Sequence, residues 1–523
     1  MIAENLHILM FAAACFALLC GYHVALTLGG IALIFAGIGL ALDIFPSAML
    51  IAFPSRILGT MQNQVLAAIP LFVLMGVVLE RSHVAEDLLE AAGRLLSRIR
   101  GGLGYSVVLV GALLAASTGI VGATVVTMTL IALPSMLSQG YDKRVASGVI
   151  AASGTLGQII PPSIVLIVLA DVISNANSEA RRALGEPPTP VSPGDLFAGA
   201  LVPGLMLVGL YLTYLAVISL VKPSWTPARA ADAQDEDTPP AWRTAFAFGA
   251  PLVLIIAVLG SILGGLASPT EAAAVGAIGA ILIAGARILL DRPNSQRHIA
   301  LIAAGGAALP FLIVLSQFFD LRLGGDETKT AADQIALWAA YLLCALLAMG
   351  VAAACWALAS ADRLKGSLTS AAQVTAMVFL ILIGAALFSI VFRGFGGDEF
   401  VAELLNGIPG GLWGALAATM LMMFVLGFFL DFMEITFVVV PLVAPPLIMM
   451  GADPVWLGVL MAINLQTSFL TPPFGFALFY LKGAAPEGLE TPDIWRGAIP
   501  FIGLQLIGLA AVASFPELVS VLR

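Results

Sequence analysis

The sequence predicts an all-α integral membrane protein with roughly 12 to 15 spans or half-spans. Of its 523 residues, 60% are hydrophobic and only 11% are charged, whereas soluble globular proteins carry about 25% charged residues. Several apolar stretches approach or reach the roughly 20 residues that cross a bilayer. Others are short and interrupted by Gly and Pro, which predicts broken or re-entrant helices. In chain order, the clearest apolar stretches are 8–20, 24–42, 103–114, 196–220, 246–266 and 272–290.

The sequence lacks the motifs of several other protein classes. It has no Walker A, HExxH, GxSxG or CxxC pattern, so we expect neither ATP hydrolysis nor another enzyme activity. The net charge of −9 is spread over loops, and no basic block indicates nucleic-acid binding. All four cysteines lie within apolar runs, which is typical of small core residues rather than disulfides or metal ligands.

One segment, 80–100, has the pattern of an amphipathic helix. Leu88, Leu89, Leu95, Leu96 and Ile99 are expected on one side of it. Such a helix can lie in the plane of the membrane interface, or it can simply connect two spans. Loop charges do not decide the orientation of the chain, since re-entrant segments disturb the alternation of sides.

The most informative feature is an internal repeat at an offset of 311 residues. The segment beginning at Leu133 aligns without a gap with the segment beginning at Ala444. Prolines, a glycine and an aspartate coincide, and so does a double proline. Secondary transporters are often built from two such halves, frequently with inverted topology. The coinciding pairs are Pro134 and Pro445, Gly140 and Gly451, Asp142 and Asp453, Pro161 and Pro472, and Pro162 and Pro473.

Each repeat predicts a re-entrant hairpin followed by a broken helix. The hairpins are expected at about 112–137 and 421–448, with small or polar residues at their tips, and the broken helices at about 145–176 and 455–484. A double proline cannot continue a helix through its own hydrogen bonds, and non-helical backbone at membrane depth survives only inside protein or beside water. Freed carbonyls with Ser, Thr, Asn and Gln oxygens suit Na⁺, and half-helix N-termini suit an anionic substrate. Simple kinks with locally bonded hydroxyls are the alternative interpretation.

Three acidic residues stand in or beside apolar runs. Asp431, expected at the tip of the second hairpin, is a candidate cation ligand, and Glu434 is a weaker one, because a carboxylate in hydrocarbon is costly unless paired. A hairpin tip exposed to water is the alternative for Asp431. Glu271 is expected to stabilise the start of the helix 272–290, with Ser268 or Thr270 as its cap.

Several of these segments resemble the large membrane subunit, DctM-like, of tripartite ATP-independent periplasmic (TRAP) transporters. The resemblance covers roughly 68–290 and 374–515 and consists of motifs in a fixed order. The motifs read IPLFVLMG, ASGTLGQIIPPSI, LFAGALVPGLML, SPTEAAAVGA, LGFFLDFMEITFVVVPL and NLQTSFLTPPFG.

The resemblance implies the ion-transporter-superfamily fold, with inverted repeats, and an elevator mechanism. It also implies Na⁺-coupled uptake of small carboxylates, such as C4-dicarboxylates or 2-oxo acids, across the bacterial inner membrane. The implied partners are a small four-helix membrane subunit and a periplasmic substrate-binding protein, besides the bilayer itself.

Positions that match the family motifs supply the expected ligands. For Na⁺ they are Ser117, Thr118, Ser153, Gly154, Gly157, Asp431, Gln466, Thr467 and Thr471. For substrate they are Thr155, Gln158, Pro161, Pro162, Ser468, Pro472 and Pro473.

Two departures from the family pattern stand out. The first hairpin tip reads Ser117-Thr118-Gly119 instead of the commoner Gly-Ser-Ser run. An extra block at 292–364 holds two apolar segments, as in a longer subclass of the family, and two added spans preserve the sidedness of the second repeat. The predicted organisation is N-terminal scaffold spans at 1–66, a first repeat at 67–222, a polar loop at 223–243, connecting spans at 244–291, the inserted block at 292–364 and a second repeat at 365–523.

A binding-protein-independent carboxylate/Na⁺ symporter of the same superfamily is the main alternative function. A passive pore would show a polar stripe along continuous spans, and a membrane enzyme would show convergent catalytic residues. The sequence has neither pattern.

Overall fold

Helices form the regular secondary structure of the part of the chain that the structure describes. This computed structural model describes residues 5–82, 84–96, 99–119, 121–228, 241–293, 295–321 and 330–522, with only the backbone of 85, 115–118 and 241. Within these ranges, nine helices are long and apolar enough to cross a membrane, and two bent helix pairs and four shorter apolar helices accompany them. The predicted all-α membrane fold is confirmed. Counted together, these spans and half-spans reach the upper end of the predicted range of roughly 12 to 15.

The N-terminal part forms two apolar helices and two short ones. They are α1 (Leu6–Leu19), α2 (Val24–Ala41), α3 (Ser47–Ile51) and α4 (Phe53–Gln62). α1 packs against α2, and Pro54 near the start of α4 suits the first turn of a helix, where no backbone donor is lost.

The first repeat contains a hairpin and a broken helix. The hairpin is longer than predicted, because its first arm begins ten residues before position 112, at the glycine pair Gly101-Gly102 that ends the preceding loop. The helices are α5 (Ala68–Arg81), α6 (Val84–Leu95), α7 (Gly102–Thr118), α8 (Val121–Ser138), α9 (Lys143–Thr155), α10 (Ile164–Ala183) and α11 (Pro193–Val221).

The amphipathic helix predicted for 80–100 is present, but it is shorter than predicted and its expected apolar residues are not all buried. α6 ends at Leu95, so Ile99 lies beyond the helix and outside its periodicity. Leu88 and Leu89 are buried, whereas Leu95 and Ile99 are exposed. The apolar residues therefore divide between the protein interior, where α6 packs on α7, and the surface.

Between the repeats, four helices form a layer beside α5. They are α12 (Ala241–Leu263), α13 (Pro269–Leu290), α14 (Gln296–Phe318) and α15 (Ala331–Ser360), of which α14 and α15 are the inserted pair. The inserted pair packs on α13, which itself packs on α5. The prediction for Glu271 is confirmed: the Ser268 side chain accepts from the Glu271 backbone N–H, and the Glu271 carboxylate accepts from the Ser268 backbone N–H.

The second repeat has the same order of elements. Its hairpin also begins earlier than predicted, at Gly411, and its second arm bends by 54°. The helices are α16 (Leu364–Gly394), α17 (Gly397–Asn406), α18 (Gly411–Leu426), α19 (Phe432–Val438), α20 (Val440–Met449), α21 (Pro454–Leu470), α22 (Phe476–Ala484), α23 (Thr491–Ser514) and α24 (Glu517–Ser520).

The two repeats pack on each other reciprocally. The bounds of α8, shifted by 311 residues, coincide with the start of α19 and the end of α20. Asp142 caps α9 as Asp453 caps α21. α10 packs against α20 and α21, and its counterpart α22 packs against α8 and α9. Such exchange of equivalent partners is the signature of a two-fold relation.

Candidate functional site

The first helix break lies in the protein interior. α9 ends at Thr155, a short 3-10 turn covers Leu156–Gln158, and α10 begins at Ile164. Pro161 and Pro162, joined by a cis peptide bond, are buried with the turn. Non-helical backbone is thus surrounded by protein, as membrane depth requires.

The second break is more open than the first. α21 ends at Leu470 and α22 begins at Phe476. Between them Thr471 and Pro472 are half-buried, while Pro473 is exposed. The Pro472–Pro473 peptide bond is also cis. The two breaks therefore share a backbone pattern but differ in access.

Each hairpin tip contacts the broken helix of its own repeat. Gly119 has a φ of 61°, and a Cβ there would lie 3.1 Å from the backbone nitrogen of Ile164, at the start of α10. At the other tip, a Cβ on Gly427 would lie 2.2 Å from Ser468 Oγ of α21. Glycine at these two positions permits the close approach of tip and break.

Asp431 caps the second arm of its hairpin. Its Oδ1 accepts from the Phe432 backbone N–H at 2.7 Å, and the Glu434 carboxylate accepts from the Asp431 backbone N–H at 3.0 Å. The pair forms a capping box at the start of α19. The sequence suggests Asp431 as a candidate cation ligand and Glu434 as a weaker one, and the structure joins the two acids in one capping box.

Within the ranges that the structure describes, three buried oxygens at the breaks have no hydrogen-bond partner. They are Ser153 Oγ in α9, Gln158 Oε1 in the turn and Gln466 Oε1 in α21. Their side chains are almost completely inaccessible. An unpartnered buried polar atom is costly, and hydroxyl and amide oxygens are ligands for a hard cation.

Thr155 and Gln466, which occupy equivalent positions in the two repeats, contact each other directly. Gln466 Nε2 donates to Thr155 Oγ1 at 3.3 Å, across 311 residues of sequence. Thr155 Oγ1 itself donates to the Ala152 carbonyl at 2.8 Å, so it can only accept from the amide. Equivalent residues meet only near a two-fold axis, so this contact marks the junction of the two repeats.

Two functional candidates were missed in the sequence. Gln505 of α23 donates to Tyr211 of α11 at 2.8 Å and to Thr155 Oγ1 at 3.3 Å, and both side chains are fully buried. A lone glutamine within an apolar run could have indicated Gln505, since polar residues in spans are usually partnered. Tyr211 gave no comparable signal.

The other predicted residues fall into three groups. Thr467, Ser468 and Thr471 donate to carbonyls of their own helix, at 2.7 to 2.8 Å, which leaves their lone pairs free to accept or to coordinate. Gly154 and Gly157 are buried, and Gly154 packs against Val125 of α8. The side chains of Ser117 and Thr118 lie outside the described part of the chain. Among the described residues, no cluster of three His, Cys, Asp or Glu side chains is arranged for metal binding.

Comparison with known proteins identifies the family. A family model described as "Tripartite ATP-independent periplasmic transporter, DctM component" matches residues 9–359 and 285–518. The C4-dicarboxylate TRAP transporter large permease protein DctM of Rhodobacter capsulatus is 28% identical over 86% of this chain and 85% of its own length. The sialic acid TRAP transporter large permease protein SiaM of Vibrio cholerae is 25% identical over 94% and 95%.

Among solved structures, the Alcanivorax borkumensis YdaH transporter aligns with a TM-score of 0.54 at 12% identity, covering 98% of each chain. At that identity the likeness concerns the fold alone. The family match extends over nearly the whole sequence and includes both repeats. The chain is a multi-pass membrane protein of the DctM family, the large permease component of TRAP transporters, and therefore a transporter rather than an enzyme.

Proposed function

We propose that this permease couples inward Na⁺ movement to the uptake of small organic acids across the bacterial inner membrane. The supporting observation is the set of unpartnered buried oxygens at the two helix breaks, Ser153 Oγ, Gln158 Oε1 and Gln466 Oε1. Na⁺ entering with the substrate would coordinate these oxygens, which have no hydrogen-bond partner in the described part of the folded protein. No carboxylate cluster is needed, because neutral hydroxyl, amide and carbonyl oxygens suffice for a monovalent cation.

The hydroxyls of the second break fit the same role. Thr467 and Thr471 each donate a hydrogen bond to the main chain, so their remaining lone pairs can act as acceptors or cation ligands. Asp431 adds negative charge at the facing hairpin tip, while its capping contacts hold the carboxylate in place. Two pseudo-equivalent cation sites, one per repeat, follow from this arrangement.

An anionic substrate is supported by the helix ends at the breaks. α8 and α10 of the first repeat, and α22 of the second, begin at the tips and breaks. Their N-terminal N–H groups carry partial positive charge that suits a carboxylate. We place the substrate between the breaks, beside Thr155, Gln158, Pro161, Pro162, Ser468, Pro472 and Pro473.

The wider assembly follows from the family. We propose that a periplasmic binding protein delivers the substrate, that a small four-helix membrane subunit completes the complex, and that the repeats move as an elevator. Relatives are described as transporting C4-dicarboxylates, isethionate, ectoine or sialic acid. A small carboxylate is the class that the helix ends favour here.

Uptake in proteoliposomes tests the proposal. The purified complex, with and without its binding protein, is given labelled dicarboxylates and 2-oxo acids in the presence or absence of a Na⁺ gradient. Thr471→Val removes a hydroxyl at the second break. Thr213→Val is the matched control, because Thr213 makes the same local bond to a helix carbonyl at 2.7 Å on an exposed face of α11.

We expect uptake that requires Na⁺ and the binding protein, is lost in Thr471→Val and is retained in Thr213→Val. Na⁺-dependent uptake without the binding protein would favour a binding-protein-independent symporter. Uptake indifferent to Na⁺ would refute the coupling.

A further inference from the structure

An apolar cavity lies away from the breaks, between α1, the end of α16, α17 and both arms of the second hairpin. Its volume is about 280 Å³, just below the range of about 300–1,000 Å³ usual for ligand pockets. Its lining includes Phe11, Phe392, Leu405 and Leu442 of α20.

Two buried polar side chains line this apolar cavity without a hydrogen-bond partner in the described part of the chain. His7 is 6% exposed, and among residues 5–522, less the gaps given above, neither ring nitrogen has a hydrogen-bond partner. Thr419 is 1% exposed, and its Oγ1 is also unpartnered. The rings of Phe392 and Phe400 contact the imidazole only as walls, at centroid distances of 6.1 and 4.8 Å. The apolar cavity therefore contains hydrogen-bond donors and acceptors, on His7 and Thr419, that the described protein groups leave unused.

The cavity opens toward the apolar surface of the protein. Ile8, Leu404 and Met422 belong to its lining and are exposed. His7 is the second residue of α1, so the polar group lies at a helix end, where an apolar span meets the membrane interface. A molecule that reaches the cavity through this mouth comes from the bilayer.

We propose that this cavity binds a single-chain amphiphile from the bilayer, an acyl chain ending in a carboxyl group. The acyl chain would fill the apolar part of the cavity, and its carboxyl group would form hydrogen bonds with His7 and Thr419. A carboxyl group can both donate and accept, or accept twice when ionised, and either state matches the donors of imidazole and hydroxyl. A pure hydrocarbon would leave both buried polar groups unsatisfied, at a cost.

The site is independent of the transport site and does not depend on the proposed Na⁺ coupling. Thr419 and Met422 lie on α18, and Leu442 lies on α20, so an occupant contacts both hairpin arms as well as α1. The amphiphile would join the second hairpin to the N-terminal helices.

Photolabelling of the purified full chain in nanodiscs tests this inference. The probe is a twelve-carbon fatty acid with a diazirine at its tail, and labelled peptides are identified by mass spectrometry. Ala418→Leu narrows the cavity, because Ala418 lines it. Ala417→Leu is the matched control, since its neighbour Ala417 is exposed and is not part of the lining.

We expect label on α1, α17, α18 or α20 that excess lauric acid removes and dodecane does not. Ala418→Leu should abolish it, and Ala417→Leu should leave it unchanged. Thr419→Val, which keeps the shape and removes the hydroxyl, should weaken competition by lauric acid about fivefold. This variant keeps the test valid if Ala418→Leu fails to elute as a folded protein.

Three results would overturn the inference. The first is label spread evenly over lipid-facing helices and insensitive to Ala418→Leu. The second is equal competition by dodecane, which would show that His7 and Thr419 recognise no head group. The third is complete loss of label when a second membrane subunit copurifies, which would make the mouth a protein contact.

Discussion

Gly427 and Ser468 set how closely the second hairpin tip approaches its broken helix. A Cβ at Gly427 would lie 2.2 Å from Ser468 Oγ and 2.8 Å from Ser468 Cβ. The hydroxyl could rotate away, but the Cβ cannot move unless α21 moves. The pair therefore couples the tip to the backbone at the second break.

Gly427→Ala is expected to reduce uptake strongly and to destabilise the protein by about 1–3 kcal/mol through overpacking. Uptake in proteoliposomes and thermal unfolding in detergent measure the two effects. Gly37→Ala is the control, because nothing lies within 4 Å of a Cβ at that position of α2. Normal uptake by Gly427→Ala would show that the tip need not contact Ser468.

Ser153→Ala tests whether the Ser153 hydroxyl is a Na⁺ ligand or only a buried group without a function. The Ser153 hydroxyl is buried and has no partner among the residues that the structure describes, so its removal should leave the Na⁺-free unfolding temperature equal or higher. If Ser153 binds Na⁺, the half-saturating Na⁺ concentration should rise about tenfold or more, and the stabilisation by added Na⁺ should shrink. An unchanged Na⁺ dependence of uptake would remove Ser153 from the cation site.

Sequence patterns predicted the residues whose role is local. The double prolines at the helix breaks and the helix cap at Ser268 depend on neighbours along the chain, and the structure has them in those places. Gln505 and Tyr211 were missed because their partners are hundreds of residues away in sequence. Only tertiary packing brings them to Thr155.

Among the elements, α9 makes its closest helix contact with α23. A Cβ at Gly148 would lie 2.1 Å from the Gly497 backbone oxygen, and one at Gly497 would lie 2.2 Å from the Arg144 backbone oxygen. Small residues allow helices in a membrane to approach in this way. Because the nearest neighbours are backbone atoms, no side-chain rotation can remove the clash that a larger residue would cause at these positions.

Gly148→Ala should therefore force α9 and α23 apart and lower the free energy of unfolding by about 1–3 kcal/mol. Gly209→Ala on α11 is the matched control, because a Cβ there meets nothing within 4 Å; it should be neutral or stabilising by up to about 1 kcal/mol. Thermal unfolding of both variants in the same detergent makes the comparison. Equal unfolding temperatures would mean that the interface relaxes.

At the level of elements, periodicity placed the helices but not their ends. Both hairpins begin at glycine pairs, Gly101-Gly102 and Gly410-Gly411, about ten residues before the predicted positions. The short apolar stretch of each arm suggested a half-span, whereas the helix continues to the loop glycine. The amphipathic pattern of 80–100 also extended past the end of α6 at Leu95, so Ile99 was assigned to a helix that does not reach it.

Over the whole molecule, α10 connects the first repeat to helices outside the breaks through two polar ties. Asp171 Oδ1 accepts from Asn63 Nδ2, just after α4, at 2.7 Å. Two helical turns later Glu179 accepts from Arg393 of α16 at 2.7 Å. Both ties are partly exposed, so each contributes little to stability. They join the broken helix α10 to the predicted scaffold at Asn63 and to the second repeat at Arg393.

If the repeats move as an elevator, Asn63 and Asp171 must separate during transport. Asn63→Cys with Asp171→Cys, in a chain whose four native cysteines are replaced, can be joined by a short bifunctional thiol reagent with a cleavable disulfide. We expect uptake to stop on cross-linking and to return on reduction, because α10 is then held against the end of α4. Each single-cysteine variant, treated alike, is the control and should remain active. Full uptake by the cross-linked protein would show that α10 and α4 stay together through the transport cycle. The boundary between the moving and the fixed helices would then have to lie elsewhere in the fold.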